Sequence, residues 1–249
     1  MIDESLLSFE EKTSYKLSSL YMKYGYLPYK MGKFEEYELY IRNKEFLVSD
    51  RVIAFNDTNG KLMALKPDVT LSIIKNGEDS KGTKQKVFYN EKVYRVSETT
   101  NCFKEIMQTG LECIGDTDIY DIYEVISLAA ESLSLISDRF CIEISDLDLV
   151  SGVIHSVCDD AQFVSCVMDC ISEKNTHDLK RICEQSGVSS DDYKKIASLI
   201  SVYGNRKKVL SALGELFEGK VPEKLILLSE LLDRSKYSDN IMFDFSVVN

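Results

Sequence analysis

Hydrophobic and polar residues alternate along residues 86–115, and this pattern predicts three consecutive β-strands. Short runs of β-branched and aromatic residues at 87–89 and 93–96 predict the first two strands. The polar pair Asn90 and Glu91 predicts a break between them, and the polar residues 97–102 predict a loop before the third strand. The sheet formed by these strands is the predicted centre of the molecule.

The third predicted strand, residues 105–115, carries candidate binding chemistry. Strand side chains repeat every two residues, so Gln108 and Glu112 are expected on one face with Gly110 between them. A glycine inside a strand often marks the close approach of a ligand or of another backbone. Together with Arg95 on the preceding strand, these side chains suit an amino acid, with the guanidinium for its carboxylate and the other two for its amine or a polar side chain. The alternative is an ordinary cross-strand ion pair between Arg95 and Glu112.

Helical spacing dominates elsewhere in the chain. Residues 4–24 predict a helix that ends at Gly25, and Pro67 predicts the first turn of a helix that runs to about Asn76. Asp118, with Asp121 three residues later, predicts the start of another helix. Its predicted buried stripe consists of Ile122, Val125, Ile126, Ala129 and Leu133.

The remaining segments predict a hairpin and a helical region. Residues 57–60 predict a hairpin turn, and residues 140–145 and 241–248 predict further strands. Residues 150–236 have an almost continuous helical pattern, with breaks at 159–160, 187–190, 204 and 219–222, and no candidate chemistry.

Composition and charge narrow the possible partners. A chain of 249 residues with 44% hydrophobic residues can form one large domain or two small ones. The net charge of −11 repels phosphate backbones, so nucleic acid is not an expected partner. The acidic N-terminus does not resemble a signal peptide, and a membrane is not expected as a partner either, because no apolar run approaches ~20 residues.

The seven cysteines are odd in number and form no C-x-x-C motif, which is typical of reduced thiols in the cytoplasm. Cys166 and Cys170 lie one helical turn apart and are a candidate metal pair. The chain has only two histidines and no cluster of ligands around that pair, so no metal and no other cofactor are expected.

Two segments carry a family resemblance. The sequence VYR, followed by KEIMQTGLECIG and an acidic helix, resembles the second motif of class II aminoacyl-tRNA synthetases of the histidyl type, FR-x-E-R then R-E-F-x-Q-x-G-x-E-x-(I/F)-G. Residues 62–70, LMALKPDVT, resemble the L-R-P-(E/D)-x-T pattern of that family. The resemblance covers the whole chain, and it is closer still to the synthetase-like regulatory subunits of ATP phosphoribosyltransferase.

The resemblance implies an α+β fold, in which an antiparallel sheet is flanked by helices. Residues 1–149 would form the synthetase-like core, 150–236 a helical insertion, and 237–249 the start of a returning core strand whose C-terminal neighbours are missing. The strand at 140–145 would lie beside the motif strands. The N-terminal helix and strand would form a self-dimer interface, although Gly32 replaces the signature proline of the family.

The resemblance also implies a histidine site. Asp68 and Thr70 would hold the amino group of the ligand, alongside Arg95, Gln108 and Glu112. For Asp68 and Thr70 the alternative is helix capping, since both stand near a predicted helix start.

Aminoacylation is not expected. The synthetases use one arginine from each of two motifs, plus a glutamate two residues after the first arginine. This chain has Arg95, but Ser97 stands at the glutamate position, and the loop lacks paired arginines. The charge of a triphosphate would therefore not be neutralised.

The expected function is a non-catalytic, cytoplasmic regulatory subunit that forms a hetero-oligomer with the short-form ATP phosphoribosyltransferase catalytic subunit, dimerises, and senses histidine as a feedback effector. Two alternatives remain: a degenerate amino-acid-activating enzyme, and a scaffold with a dead pocket.

Overall fold

The computed structural model describes residues 6–43, 51–76, 82–97 and 99–248. The chain divides into two compact units, the first ending at Asp121 and the second beginning at Ile122. The domain limits predicted at residues 149 and 236 stay predictions. The α+β class is confirmed: the first unit combines helices with largely antiparallel sheets, and the second combines helices with a mixed sheet.

The first unit begins with α1 (Phe9–Lys23), which packs on the central sheet. Ser8 and Glu11 form a reciprocal capping box at its start, and Gly25, with φ +83°, ends it as predicted. The chain continues into β1 (Leu27–Pro28), which pairs in parallel with β5.

A small antiparallel sheet follows, in the order β2-β4-β3. Its strands are β2 (Phe34–Glu36), β3 (Ala54–Asn56) and β4 (Leu62–Leu65), with α2 (Tyr37–Arg42) after β2. The predicted hairpin turn is confirmed: the Asp57 carboxylate accepts from the backbone N–H groups of Asn59 and Lys61, and Gly60 has φ +81°.

The predicted helix at Pro67 begins later than expected, since α3 covers Thr70–Asn76. Asp68, not Pro67, provides the start signal, because its side chain accepts from the Leu71 N–H. Val69 and Ile73 pack against Val87, Tyr89 and Val93 of the central sheet. This packing holds α3 on one face of that sheet.

The central sheet is built on two long strands, β5 (Lys84–Val96) and β6 (Phe103–Gly115). The break predicted at Asn90 and Glu91 is wrong, because β5 is continuous through both residues. Both side chains have partners: Asn90 accepts from the Thr109 hydroxyl of β6, and Glu91 pairs with Lys66 in the segment before α3. On the face of the sheet opposite α3, the rings of Tyr21 in α1 and Phe88 in β5 have centroids 5.8 Å apart.

The acidic helix α4 (Ile119–Ser134) begins as predicted. Asp118 accepts from the N–H groups of Tyr120 and Asp121, while Asp121 accepts from the Asp118 N–H. The predicted buried stripe is wrong in part, because Ala129 and Leu133 are exposed while Leu128 and Ala130 are buried. Leu128 and Ala130 lie on different sides of the helix, so an apolar sequence alone did not identify its buried face.

The second unit packs helices around a three-stranded sheet of order β7-β9-β8. The predicted place of residues 140–145 beside the motif strands is wrong: β7 (Ile142–Ile144) pairs in parallel with β9 (Ile241–Asp244), which pairs antiparallel with β8 (Tyr203–Asn205). Phe243 and Phe245 are fully buried, with ring centroids 6.0 Å apart. Long-range pairing of this kind leaves no local signal in the sequence.

The predicted helical region is confirmed, and its helices share one core with β9. The helices are α5 (Leu147–His155), α6 (Ala161–Ser172), α7 (Thr176–Gln185), α8 (Ser190–Ser201), α9 (Arg206–Leu216) and α10 (Glu223–Leu232). Cys170 and Cys183 are buried in that core, whereas Cys102 and Cys141 are exposed. Across the described ranges, no helix is both long and apolar enough to span a membrane.

Candidate functional site

The register between β5 and β6 defines one polar face of the central sheet. Arg95 lies opposite Lys104, Glu91 opposite Gln108, and Val87 opposite Glu112. Since directly opposite residues point to the same side, Arg95, Gln108 and Glu112 share a face, which we call the site face. The alternative of a cross-strand ion pair between Arg95 and Glu112 is wrong, because eight residues of β6 separate Glu112 from the residue opposite Arg95.

Glu112 stands at one end of the site face beside α3. The Thr70 hydroxyl donates to Glu112 Oε1 at 2.6 Å. Thr70 therefore binds a side chain of β6, and the helix cap of α3 is Asp68. Burial raises the pKa of the Glu112 carboxyl, and the Asp68 carboxylate adds to the rise, while the Thr70 hydrogen bond opposes it. A cation placed here would be favoured, because it would offset the buried negative charge.

Gly110 does not open a gap for a ligand, contrary to the prediction from its place in the strand. The ring of Tyr89, directly opposite, lies over it: a Cβ at Gly110 would be 2.5 Å from the Tyr89 hydroxyl and 2.7 Å from Cζ. Tyr89 is buried, and burial together with Glu112 and Asp68 raises the pKa of its hydroxyl to about 12. The glycine is therefore required by a side chain of this sheet.

Gln108 offers an open hydrogen-bond acceptor. Its Nε2 donates to the Tyr89 hydroxyl at 3.4 Å, while Oε1 is buried and receives no hydrogen bond from the described residues. Leaving a buried polar atom unsatisfied costs about 1–3 kcal/mol. A ligand ammonium at this position would remove that cost, and Glu112 lies on the same face two positions beyond Gly110.

Arg95 stands at the opposite end of the site face. Four residues of β6 separate its opposite residue from Gln108, or roughly 13 Å of strand. Its Nε donates to the Pro67 carbonyl at 3.0 Å, three residues before Thr70. The structure therefore brings Asp68, Thr70, Gln108 and Glu112 together around Tyr89, and places Arg95 at the far end of the same face.

The turn between β5 and β6 is short. The Ser97 N–H donates to the Cys102 carbonyl at 2.9 Å, and the Ser97 hydroxyl lies 3.2 Å from that of Thr99. Arg51 Nη1 donates to Asn101 Oδ1 at 2.5 Å. Sequence analysis missed Arg51 because it lies 50 residues away in the chain.

Among the described side chains, no group of three or more His, Cys, Asp or Glu residues is arranged to hold a metal ion.

We expect Gly110→Ala to destabilise the protein by about 1–3 kcal/mol, because the new methyl group would overlap the buried ring of Tyr89 and force it to shift. Chemical denaturation measures the change. In a double-mutant cycle, Tyr89→Val should remove most of the penalty.

Gly152→Ala in α5 is the matched control, since its Cβ would meet nothing within 4 Å and should not destabilise the protein. Equal effects of the two alanines would contradict the described packing of Tyr89.

The fold and the polar face define a class II aminoacyl-tRNA synthetase-like core. Residues 4–249 match the family described as histidyl-tRNA synthetase, so the chain belongs to that family.

Similar proteins include histidine–tRNA ligases and ATP phosphoribosyltransferase regulatory subunits. A histidine–tRNA ligase of Pyrococcus horikoshii is 26% identical over 245 residues, covering 93% of this chain and 56% of the relative. An ATP phosphoribosyltransferase regulatory subunit of Oceanobacillus iheyensis is 23% identical over 241 residues, covering 94% and 59%. The chain thus spans somewhat more than half the length of either relative.

A solved structure shares the fold. The ATP phosphoribosyl transferase (HisG:HisZ) complex from Thermotoga maritima contains a chain that matches with a TM-score of 0.73 at 20% identity. The match covers 97% of this chain and 82% of that chain.

Proposed function

We propose that this chain is a non-catalytic regulatory subunit of ATP phosphoribosyltransferase, acting in the cytoplasm at the first step of histidine biosynthesis. Similar proteins from several bacteria carry that name, and a matching solved structure is an ATP phosphoribosyl transferase complex. The partner in this proposal is the short-form catalytic subunit, with which the chain forms a hetero-oligomer.

The observation that carries the non-catalytic role is the charge at the Arg95 end of the site face. Arg95 is the only arginine in β5 and β6, and Lys104 directly opposite is the one other cation of these two strands at this end of the face. Ser97, two residues after Arg95 at the start of the turn, is not acidic. Stabilising a reacting triphosphate requires several preorganised cations or a metal. Arg51 at the turn is the feature that favours the alternative, an amino-acid-activating enzyme, since it adds a second guanidinium nearby.

The effector in this proposal is histidine. Its ammonium would bind the unpaired Gln108 Oε1 and the Glu112 carboxylate, with the Thr70 hydroxyl donating to Glu112 and the Asp68 carboxylate adding negative charge beside it. Its carboxylate would lie toward Arg95. Feedback follows only if histidine binds one assembly state more tightly than another.

Self-association is part of the same proposal. Phe9, Tyr15 and Met22 of α1 and Leu27 of β1 are each more than half exposed. Large apolar side chains exposed close together along one helix and the following strand are typical of an interface.

We expect the short-form catalytic subunit to be inactive alone and active with this chain, and histidine to reduce that activity. The measurement is phosphoribosyl transfer from phosphoribosyl pyrophosphate to ATP, with complex formation followed by size-exclusion chromatography. Full activity of the catalytic subunit alone would refute the proposal.

A parallel assay separates the two functions. Histidine-dependent exchange of pyrophosphate with ATP by this chain alone would instead establish amino-acid activation. A chain that supports transfer but does not respond to histidine would be a scaffold with a dead pocket.

A further inference from the structure

A buried ion pair lies on the site face between its two ends. Lys66 Nζ is 2.6 Å from Glu91 Oε2, and the two side chains are 1% and 19% exposed. Glu91 lies directly opposite Gln108 and four residues before Arg95 on β5. The pair therefore occupies the stretch between the amide of Gln108 and the guanidinium of Arg95.

The backbone fixes the position of Lys66. Its N–H donates to the Lys33 carbonyl at 3.1 Å, and its own carbonyl accepts from the Tyr94 N–H at 2.9 Å. The next carbonyl, that of Pro67, accepts from Arg95. Hydrogen bonds to both backbone groups of Lys66 therefore fix the point from which its side chain reaches Glu91 on the site face.

An α-amino acid carries its ammonium and its carboxylate on the same carbon atom. If the ammonium binds Gln108 Oε1 and Glu112, the carboxylate must lie close by on the same face. Opposite residues in an antiparallel pair have Cβ atoms about 4.5–5.5 Å apart, so the side chain of Glu91 stands in that position. Its carboxylate has the same charge and shape as that of the ligand.

We propose that Glu91 is an internal competitor of the effector: its carboxylate takes the place of the ligand carboxylate on Lys66, and an amino acid binds by displacing it. This inference rests on the proposed amino-acid site. A ligand lacking the carboxylate gains nothing from displacing Glu91, because it cannot replace the charge that Lys66 loses. The pair thus lowers affinity for the amino acid and sets a threshold concentration for sensing.

The test compares histidine with histamine, its decarboxylated counterpart, by calorimetry on the full chain. Glu91→Gln keeps the shape of the side chain and removes the competing charge. We expect the variant to bind histidine at least about tenfold more tightly than the wild type, equivalent to about 1.4 kcal/mol. Histamine should bind no more tightly to the variant than to the wild type.

Further variants separate competition from a structural role. Adding Lys66→Gln to Glu91→Gln should abolish the gain for histidine. Glu105→Gln is the matched control, because Glu105 pairs with Lys92 on the opposite face of the same sheet and its loss should leave both affinities unchanged. Glu91→Asp, which retains the charge but shortens the side chain, should give an intermediate gain if Glu91→Gln does not fold.

Equal gains for both ligands, or a gain that survives the loss of Lys66, would overturn the inference. So would failure of Glu91→Gln to bind histidine at all. In that case the mixing assay still decides the regulatory role, because it does not depend on the amino-acid site.

Discussion

Arg206→Met should destabilise the second unit by about 2–4 kcal/mol, because two carbonyls lose a charged donor and each unsatisfied group costs about 1–3 kcal/mol. Arg206 begins α9 and is 2% exposed. Its Nη1 donates to the carbonyls of Ser238, at 2.7 Å, and Ile241, and its Nη2 donates to Asp233 Oδ1 at 2.7 Å. The guanidinium therefore joins α9, the segment after α10 and the first residue of β9.

Methionine fills a similar volume but donates no hydrogen bond. The carbonyl of the buried Ile241 and that of the half-buried Ser238 would lose their donor, and leaving these acceptors without a partner costs more than the net gain from the hydrogen bonds themselves. The stability of Arg206→Lys should lie between that of the wild type and that of Arg206→Met, because one ammonium cannot make all the hydrogen bonds of the planar guanidinium. Chemical denaturation followed by far-ultraviolet circular dichroism measures all three proteins.

Arg181→Met is the matched control. Arg181 pairs with Asp178 one helical turn away on α7, and both side chains are exposed. Exposed pairs contribute roughly 0–1 kcal/mol, so this change should be nearly neutral. Similar losses from the two substitutions would show that Arg206 does not hold β9 in place.

The sequence predicted the features that depend on neighbouring residues. The end of α1 at Gly25, the hairpin turn at residues 57–60 and the paired caps Asp118 and Asp121 of α4 all follow from side chains within four positions of one another. Backbone conformation and capping act over that range, so a local pattern contains the necessary information.

Features that depend on distant residues were not predictable in the same way. Glu91 looked like a strand break because its partner Lys66 lies 25 residues earlier. The partner of β7 is β9, about 100 residues later. Polar residues stay inside a strand when a partner across the fold satisfies them, and a single sequence does not reveal that partner.

The candidate site likewise combines features that neighbouring residues predict with features that depend on distant residues. Alternation along β6 predicts the common face of Gln108 and Glu112, because a strand has a period of two. Tyr89 and Lys66 reach this face through the register with β5 and through the segment before α3. A single sequence does not give this register, so it does not show which residues of β5 lie beside Gln108 and Glu112. The binding roles of Asp68, Thr70, Arg95, Gln108 and Glu112 stay proposals.

Glu112 combines an unfavourable environment with the proposed binding role. Its pKa in the folded protein is raised by burial and by Asp68. At pH values between the unfolded and folded pKa the folded state binds more protons, so stability falls as pH rises through this window. Glu112→Gln removes that loss and keeps an oxygen that can accept from Thr70. The unliganded variant should therefore be more stable than the wild type above the folded pKa, and the difference should vanish in acid.

Histidine binding should change in the opposite direction. Losing one charged partner from a partly buried site costs about 2–5 kcal/mol, so Glu112→Gln should bind histidine far more weakly. Calorimetry at one fixed salt concentration measures the affinity, and denaturation of the same samples over a range of pH measures the stability. Glu105→Gln, on the other face, should leave the affinity unchanged. Because the Lys92 hydrogen bond lowers the pKa of Glu105, this control should be less stable than the wild type at higher pH, which is the opposite of Glu112→Gln, and the difference should likewise vanish in acid. Equal histidine affinities of the wild type and Glu112→Gln would exclude Glu112 from the site. A variant that is both more stable without ligand and weaker in binding would instead show that the buried carboxylate is retained for recognition, because it destabilises the empty fold.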